Sequence, residues 1–220
     1  MSNFFLDSLW PGLLVWNLLF ISDYTLTIIC ARLYRNGVNE HIVFEGSFEI
    51  TPCFQKDIDS LRIISPRFLF FLVLYSGLLA MEWFFAHETM PHFYEFVLGA
   101  LVLVQLKVHT RHLRNLYSFR AINKTGGVTG RIEYARPLML RMSAVDSLVF
   151  SGLYLVLFAF IQSWFIFGGV VVCLSVAVKH FRLARKWPAT ATATAAATAT
   201  ATDMATSSDH AKEVVQAGTT

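Results

Sequence analysis

Apolar residues gather into five long runs along the chain, at about 11–31, 66–86, 93–108, 144–161 and 164–178. About 20 residues of helix, rising about 1.5 Å each, cross the hydrocarbon core of a bilayer, so each run predicts a spanning helix. The third and fifth runs are short, and their helices extend past the apolar stretch, through 107–117 and 179–187. Proline marks the boundaries. Pro11, Pro66 and Pro137 stand where a first helical turn tolerates the missing N–H. Ser65 is placed to cap the helix that Pro66 opens, and Pro188 follows the last one. Drawn as one helix, 144–178 would put Arg141 and Lys179 on opposite sides of a membrane. A tight connection at Gln162-Ser163 keeps both on one side.

Between the first two runs the pattern changes. Ile42, Phe44, Phe48 and Ile50 alternate with polar residues, which predicts extended chain or a small hairpin. Thr51-Pro52 then reads as a cap and first helical residue, and Phe54, Ile58, Leu61 and Ile64 recur at helical spacing against Lys56, Asp57 and Asp59. This predicts an amphipathic helix, lying along the headgroups or packed on the bundle. Loop 32–65 is thus a connector that seals the bundle floor, or a docking surface for a protein partner. A second loop carries Thr125-Gly-Gly-Val-Thr-Gly, which fits a plain turn and neither a P-loop nor a dinucleotide fingerprint. From Ala189 to Thr220 the chain is Ala/Thr-rich and then polar, too poor in large apolar groups to order itself, so a disordered cytoplasmic tail is expected.

Composition agrees with this pattern. Of 220 residues 55% are hydrophobic and 15% charged, and mean hydropathy is +0.52, which excludes a disordered chain. Three cysteines (Cys30, Cys53, Cys173) without a CxxC pair exclude a disulfide framework. The net charge of +3 says less than its placement: all 18 Lys and Arg fall within 32–67, 107–141 and 179 onward. The positive-inside rule then gives an outside N-terminus, five crossings and an inside C-terminus, as expected for the plasma (cytoplasmic) membrane. Asp7 and the lack of a positive n-region distinguish the start from a signal peptide, and the first helix is expected to be retained. The fold expected is an all-α five-helix transmembrane bundle.

Polar groups inside spans are costly and mark candidate sites: Asn17, Asp23, Gln105 and Asp146. Asn17 and Asp23 are six residues apart, about 120° around a helix, so they form no single stripe. Around the outer loop, Glu82, His87, His92 and Glu95 are of the right type to ligate a divalent transition metal, though their spacing fits no metal motif. Lys107, Arg111, Arg114 and Arg120 are placed to meet anionic lipid headgroups, and nothing nearby reads nucleic acid. The sequence specifies no cofactor and holds no complete catalytic set. The function expected is therefore a non-enzymatic accessory or assembly component of a membrane complex. The alternatives are a small homo-oligomeric transporter or channel with a polar path near Asp23, and a metal-binding protein or enzyme using the outer His/Glu cluster.

The orientation is directly testable. A cysteine placed within 86–92 should react with an impermeant thiol reagent on intact cells, and one at position 124 should not until the membrane is opened. Labelling of position 124 from outside would overturn the arrangement.

Overall fold

The computed structural model describes residues 6–187. The order is α1 (Leu9–Leu33), a wide turn at Tyr34–Val38, α2 (Asn39–His41), β1 (Ile42–Phe44), α3 (Pro52–Asp59), α4 (Pro66–Ala86), α5 (Pro91–Thr125), β2 (Ile132–Tyr134), α6 (Arg136–Ile161) and α7 (Trp164–Lys186). One compact unit ends at Ala184, and a second begins at Arg185 in the last turn of α7. The Ala/Thr-rich stretch expected to be disordered lies outside the described residues.

The five long helices α1, α4, α5, α6 and α7 are each long and apolar enough to cross a membrane, and the chain is a membrane protein with an all-α bundle. Their starts follow the proline and capping signals. Ser8 accepts the Trp10 N–H at the head of α1, and Ser65 accepts the Phe68 N–H at the head of α4. Pro66 and Pro91 open α4 and α5, and Pro137 sits in the first turn of α6. The link between α6 and α7 is Gln162-Ser163, with Gln162 in the left-handed region at φ 52°.

Helices α1 and α5 run in the same direction and share the most extensive seam, with α4 packed on both. Trp16, Leu79, Tyr94, Leu98 and Val102 fill it in one half. Tyr24, Ile28, Ala31 and Phe68 fill it in the other, together with Ile58 of α3. Helix α7 meets α5 differently. Gly99 lies so close to the Phe165 carbonyl, and Gly168 to the Phe96 carbonyl, that a Cβ at either would collide with backbone. Lipid gives little hydrophobic drive between helices, so small residues that admit close backbone approach hold such a pair. Two hydroxyls add to this region, Tyr154 donating to the Leu103 carbonyl at 3.0 Å and Ser151 to the Val170 carbonyl at 3.0 Å.

The loops at the end bearing both strands, called here the basic end, depart from expectation in three ways. The extended segment is present at Ile42–Phe44, but no hairpin closes within its loop: β1 pairs in parallel with β2, in register Ile42↔Ile132 and Phe44↔Tyr134. Phe44 packs with Phe48 and Tyr34, and both of those rings lie against Phe119, which draws the strand onto α5 and away from a local partner. Glu45 then reaches beyond β2, its Oε2 accepting the Arg136 N–H at 2.7 Å, where an anion suits the exposed amides of a helix start.

The second departure is that α3 ends at Asp59, because Leu61 turns left-handed at φ 52°. Ile64 therefore leaves the apolar face it was expected to join and is exposed. Third, Asp57 is buried and not on a solvated face. It accepts from the Ser65 hydroxyl at 2.6 Å and lies 3.6 Å from Arg62, which ties α3 to the start of α4.

The close α5–α7 approach sets a clear expectation. Gly99→Val or Gly168→Val should lower the detergent melting temperature, with overpacking worth about 1–3 kcal/mol or more where backbone must move. Gly77→Ala, with open space around it, should leave melting unchanged or slightly raised. Equal melting of all three variants would sink the argument.

Candidate functional site

Residues seven apart return to the same helical face, and α1 and α5 use this spacing toward each other. On α5 it aligns Gln105 and His112, with His109 between them; on α1 it aligns Trp16 and Asp23. The result is a polar layer in the basic half of the seam. Asp23 Oδ1 lies 2.9 Å from His112 Nε2, an ion-pair distance without hydrogen-bond alignment. Thr27, one turn on, donates its hydroxyl to the Asp23 carbonyl at 2.9 Å and sits 3.2 Å from His112 Nε2. With that hydroxyl hydrogen engaged, a hydrogen bond to Thr27 needs a proton on His112 Nε2. One turn earlier, His109 Nδ1 donates to the Gln105 carbonyl at 2.7 Å, and the Ser22 hydroxyl meets Nε2 at 2.6 Å.

This layer lines a cavity of about 420 Å³, whose polar wall includes Asp23, Glu49, Gln105, Arg111 and His112. A smaller cavity of about 240 Å³ shares Glu49, Arg111 and His112 and adds Arg114, Ser143 and Asp146. Glu49 is held there by its own loop, its Oε1 accepting the Thr51 N–H at 2.7 Å. Inside this region Gln105 Oε1 and His112 Nδ1 are buried without a hydrogen-bond partner, although the two side chains are only 7% and 2% exposed. Such groups are costly in a membrane interior and mark places where something else is accommodated.

The unpartnered atoms follow a pattern. Among the described residues they are Trp16 Nε1 and Asp23 Oδ1 on α1, Glu82 Oε2 and Trp83 Nε1 on α4, and Tyr94 OH, Gln105 Oε1 and His112 Nδ1 on α5. All belong to the three helices of one seam. Tyr94, Gln105 and His112 lie near one face of α5 and span 18 residues, about 27 Å of rise. Between the two ends of that line, Leu79, Leu98 and Val102 are buried and close it with apolar side chains.

The residues singled out from sequence divide accordingly. Asp23 and Gln105 share the larger cavity, and Asp146 borders the smaller one, 3.6 Å from Arg114. Asn17 does not join them. Its Oδ1 accepts the Ser76 hydroxyl at 2.9 Å and its Nδ2 donates to Leu13 at 2.7 Å, so it fastens α1 to α4.

Glu82, His87, His92 and Glu95 are not gathered. His87 stacks on Trp83, His92 lies 3.7 Å from Glu95, and Glu82 turns one oxygen into the seam. Five residues separate Glu82 from His87, about 140° around a helix, which sends them to different faces. Among the described residues no three His, Cys, Asp or Glu side chains converge as a metal site.

Of the four cations read as headgroup contacts, Lys107 is buried at 3% exposure and Arg111 lines both cavities. Arg114 pairs with Asp146, and Arg120 is exposed. Position 107 lies on the side of α5 covered by its neighbours, so its charge faces protein. His112, Glu49 and Tyr94 went unselected in the sequence; the seven-residue spacing of Gln105 and His112 opposite Asp23 was the available signal.

No protein family matches the chain, and no similar curated protein or solved structure was found. The reading of the site rests on its own geometry. An acid, an imidazole with one free nitrogen and a hydroxyl can hold or pass a proton and can bind a polar group. Thr27 donates its hydrogen to its own helix, so it is not set up as a nucleophile.

Replacing Asp23 tests how far the pair also holds the helices. Asp23→Ala removes the carboxylate beside His112 and should lower stability by about 1 kcal/mol, the scale of polar contacts between spanning helices. Asp23→Asn keeps an oxygen there and should melt close to the unsubstituted protein. Indistinguishable melting of all three proteins would remove any bracing role.

Proposed function

We propose that this chain is a small membrane transport protein in which α1, α4 and α5 enclose a solute path beside Asp23. The observation that carries the reading is the confinement of every buried unpartnered side-chain N or O atom, among the described residues, to the three helices of that one seam. A bundle serving only as scaffold gains nothing by leaving Asp23, Gln105, His112, Tyr94 and Glu82 unsatisfied along a line close to the thickness of a hydrocarbon core. The apolar closure at Leu79, Leu98 and Val102 fits a path that opens to one side at a time. Lys and Arg are absent from the turns at 87–90 and 162–163, which supports placing the basic end, and the larger cavity, on the inner side of the membrane.

The accessory-component reading has less support. Most apolar residues of loop 32–65 that would dock a partner, Phe44, Phe48, Phe54 and Ile58 among them, pack within the chain, and Ile63 and Ile64 stay exposed. The seam lies inside one copy, so a path there needs no oligomer to enclose it.

Accessibility measures this without knowing the solute. With Cys30, Cys53 and Cys173 replaced by alanine, single cysteines are placed at Gln105, Leu98 and Tyr94 in oriented proteoliposomes. Gln105→Cys should react with a small impermeant thiol reagent from the basic side, Tyr94→Cys from the opposite side, and Leu98→Cys slowly from either. A seam that shields all three positions from both sides would falsify the transport reading.

A further inference from the structure

We propose that the larger cavity binds a protonated primary amine carried on an apolar body, with its ammonium group against Asp23. This rests on the transport reading and names the chemistry that the path accepts. The apolar wall is built of rings, with Trp16, Phe20, Phe54, Phe68, Phe71 and Tyr75 all lining the cavity. They form a continuous surface: Phe20 stacks on Trp16 at 5.0 Å and on Phe68 at 5.2 Å, and Phe71 stacks on Tyr75 at 6.0 Å. Ring faces carry negative electrostatic potential and attract cations, most strongly where water is excluded. A volume of about 420 Å³ falls in the range of small-molecule sites.

The polar wall selects the head group. Trp16 Nε1 in the ring wall is an unpartnered donor, and the cavity's other three unpartnered atoms can accept: Asp23 Oδ1, Gln105 Oε1 and His112 Nδ1. A primary ammonium offers three N–H donors and no acceptor, which complements this set. A carboxylate or phosphate offers none of the donors these atoms lack. Formal charge points the same way. Among the side chains lining the cavity, the two carboxylates of Asp23 and Glu49 stand against the single guanidinium of Arg111. Gln105 and His112 are both more than nine-tenths buried, so these acceptors belong to a built interior and not to a wet surface.

The test uses the full chain in nanodiscs of phosphatidylcholine, whose head group has no N–H donor. Melting is followed against 2-phenylethylamine and, separately, its uncharged counterpart 2-phenylethanol. The amine should raise the melting temperature saturably and the alcohol should not. Asp23→Asn should weaken the amine response about tenfold or more, the scale of a lost charge-assisted contact.

Val176→Trp fills the cavity from α7 and should abolish the response. Gln105→Leu, which removes an acceptor and keeps the volume, should weaken it and serves where the tryptophan variant does not fold. Nanodiscs of phosphatidylethanolamine separate two sources of the same head group. A raised baseline and competition with the free amine assign it to lipid, and a silent lipid assigns it to a soluble amine.

No saturable response to the amine means that the cavity holds water only and overturns the proposal. So does an undiminished response in Asp23→Asn. A saturable response of equal size to the alcohol, lost in Val176→Trp, defeats the ammonium assignment and leaves a solute site standing. Saturable amine binding in a protein whose seam is sealed to thiol reagents from both sides would instead keep the site and remove the transport.

Discussion

The contact between Asp23 and His112 constrains the rest of the bundle. A carboxylate in a spanning helix is unfavourable by about 2.5–3.5 kcal/mol at mid-membrane on insertion scales, and by less toward the interface. It persists only where neighbours supply polarity. His112 supplies it at 2.9 Å, which fixes α5 against α1 in both rotation and height. The registration then propagates: Ser22 meets His109 one turn above, and the Cys30 thiol points at the His112 carbonyl one turn below Thr27. Shifting α5 by a single residue would rotate it by about 100° and break all of these together.

The bundle uses two kinds of adhesion, and they serve different ends. Between α5 and α7 backbones approach through Gly99 and Gly168, and the interior there is filled, with Cys173 and Leu103 buried and Tyr154 hydrogen-bonded. Between α1, α4 and α5 the contact is more extensive and is made by large aromatic and polar side chains. A seam of large side chains packs less perfectly around polar atoms than a glycine contact, and the larger cavity lies along it. That cavity is walled by side chains of α1, α4 and α5, with Val172 and Val176 of α7 also lining it.

Much of the fold was legible because its signals are local. Apolar run length, the prolines at helix starts and the Gln162-Ser163 turn each act within a few residues, and the helices begin where those signals lie. What escaped depends on distant segments. The pattern around Phe44 announced extended chain, but nothing near it could reveal that its partner lies at Tyr134. Asp57 looked solvated because its neighbours in sequence are polar; Ser65 and Arg62, brought round by the turn at Leu61, make it a buried anchor. The site was half visible. Asp23 and Gln105 stood out by the rarity of such groups in spans, while His112 was masked by the arginines around it. Burial separates them: His112 faces α1, and Arg114 does not.

The latch between the two basic loops has a consequence for how the molecule is made. β1 and the Glu45 carboxylate are synthesised about ninety residues before β2 and the Arg136 amide that they engage. In between come α3, α4 and all of α5, two of them spanning helices. As the chain emerges from the ribosome, the first loop therefore waits, with Phe44 and Phe48 lacking their final cover, until α4 and α5 are in place. Contacts of such long sequence separation form late and slowly. Closure of the strand pair is then a late step in assembly: it can begin only after the helices between have been made, and in closing it caps α6, the next helix to follow.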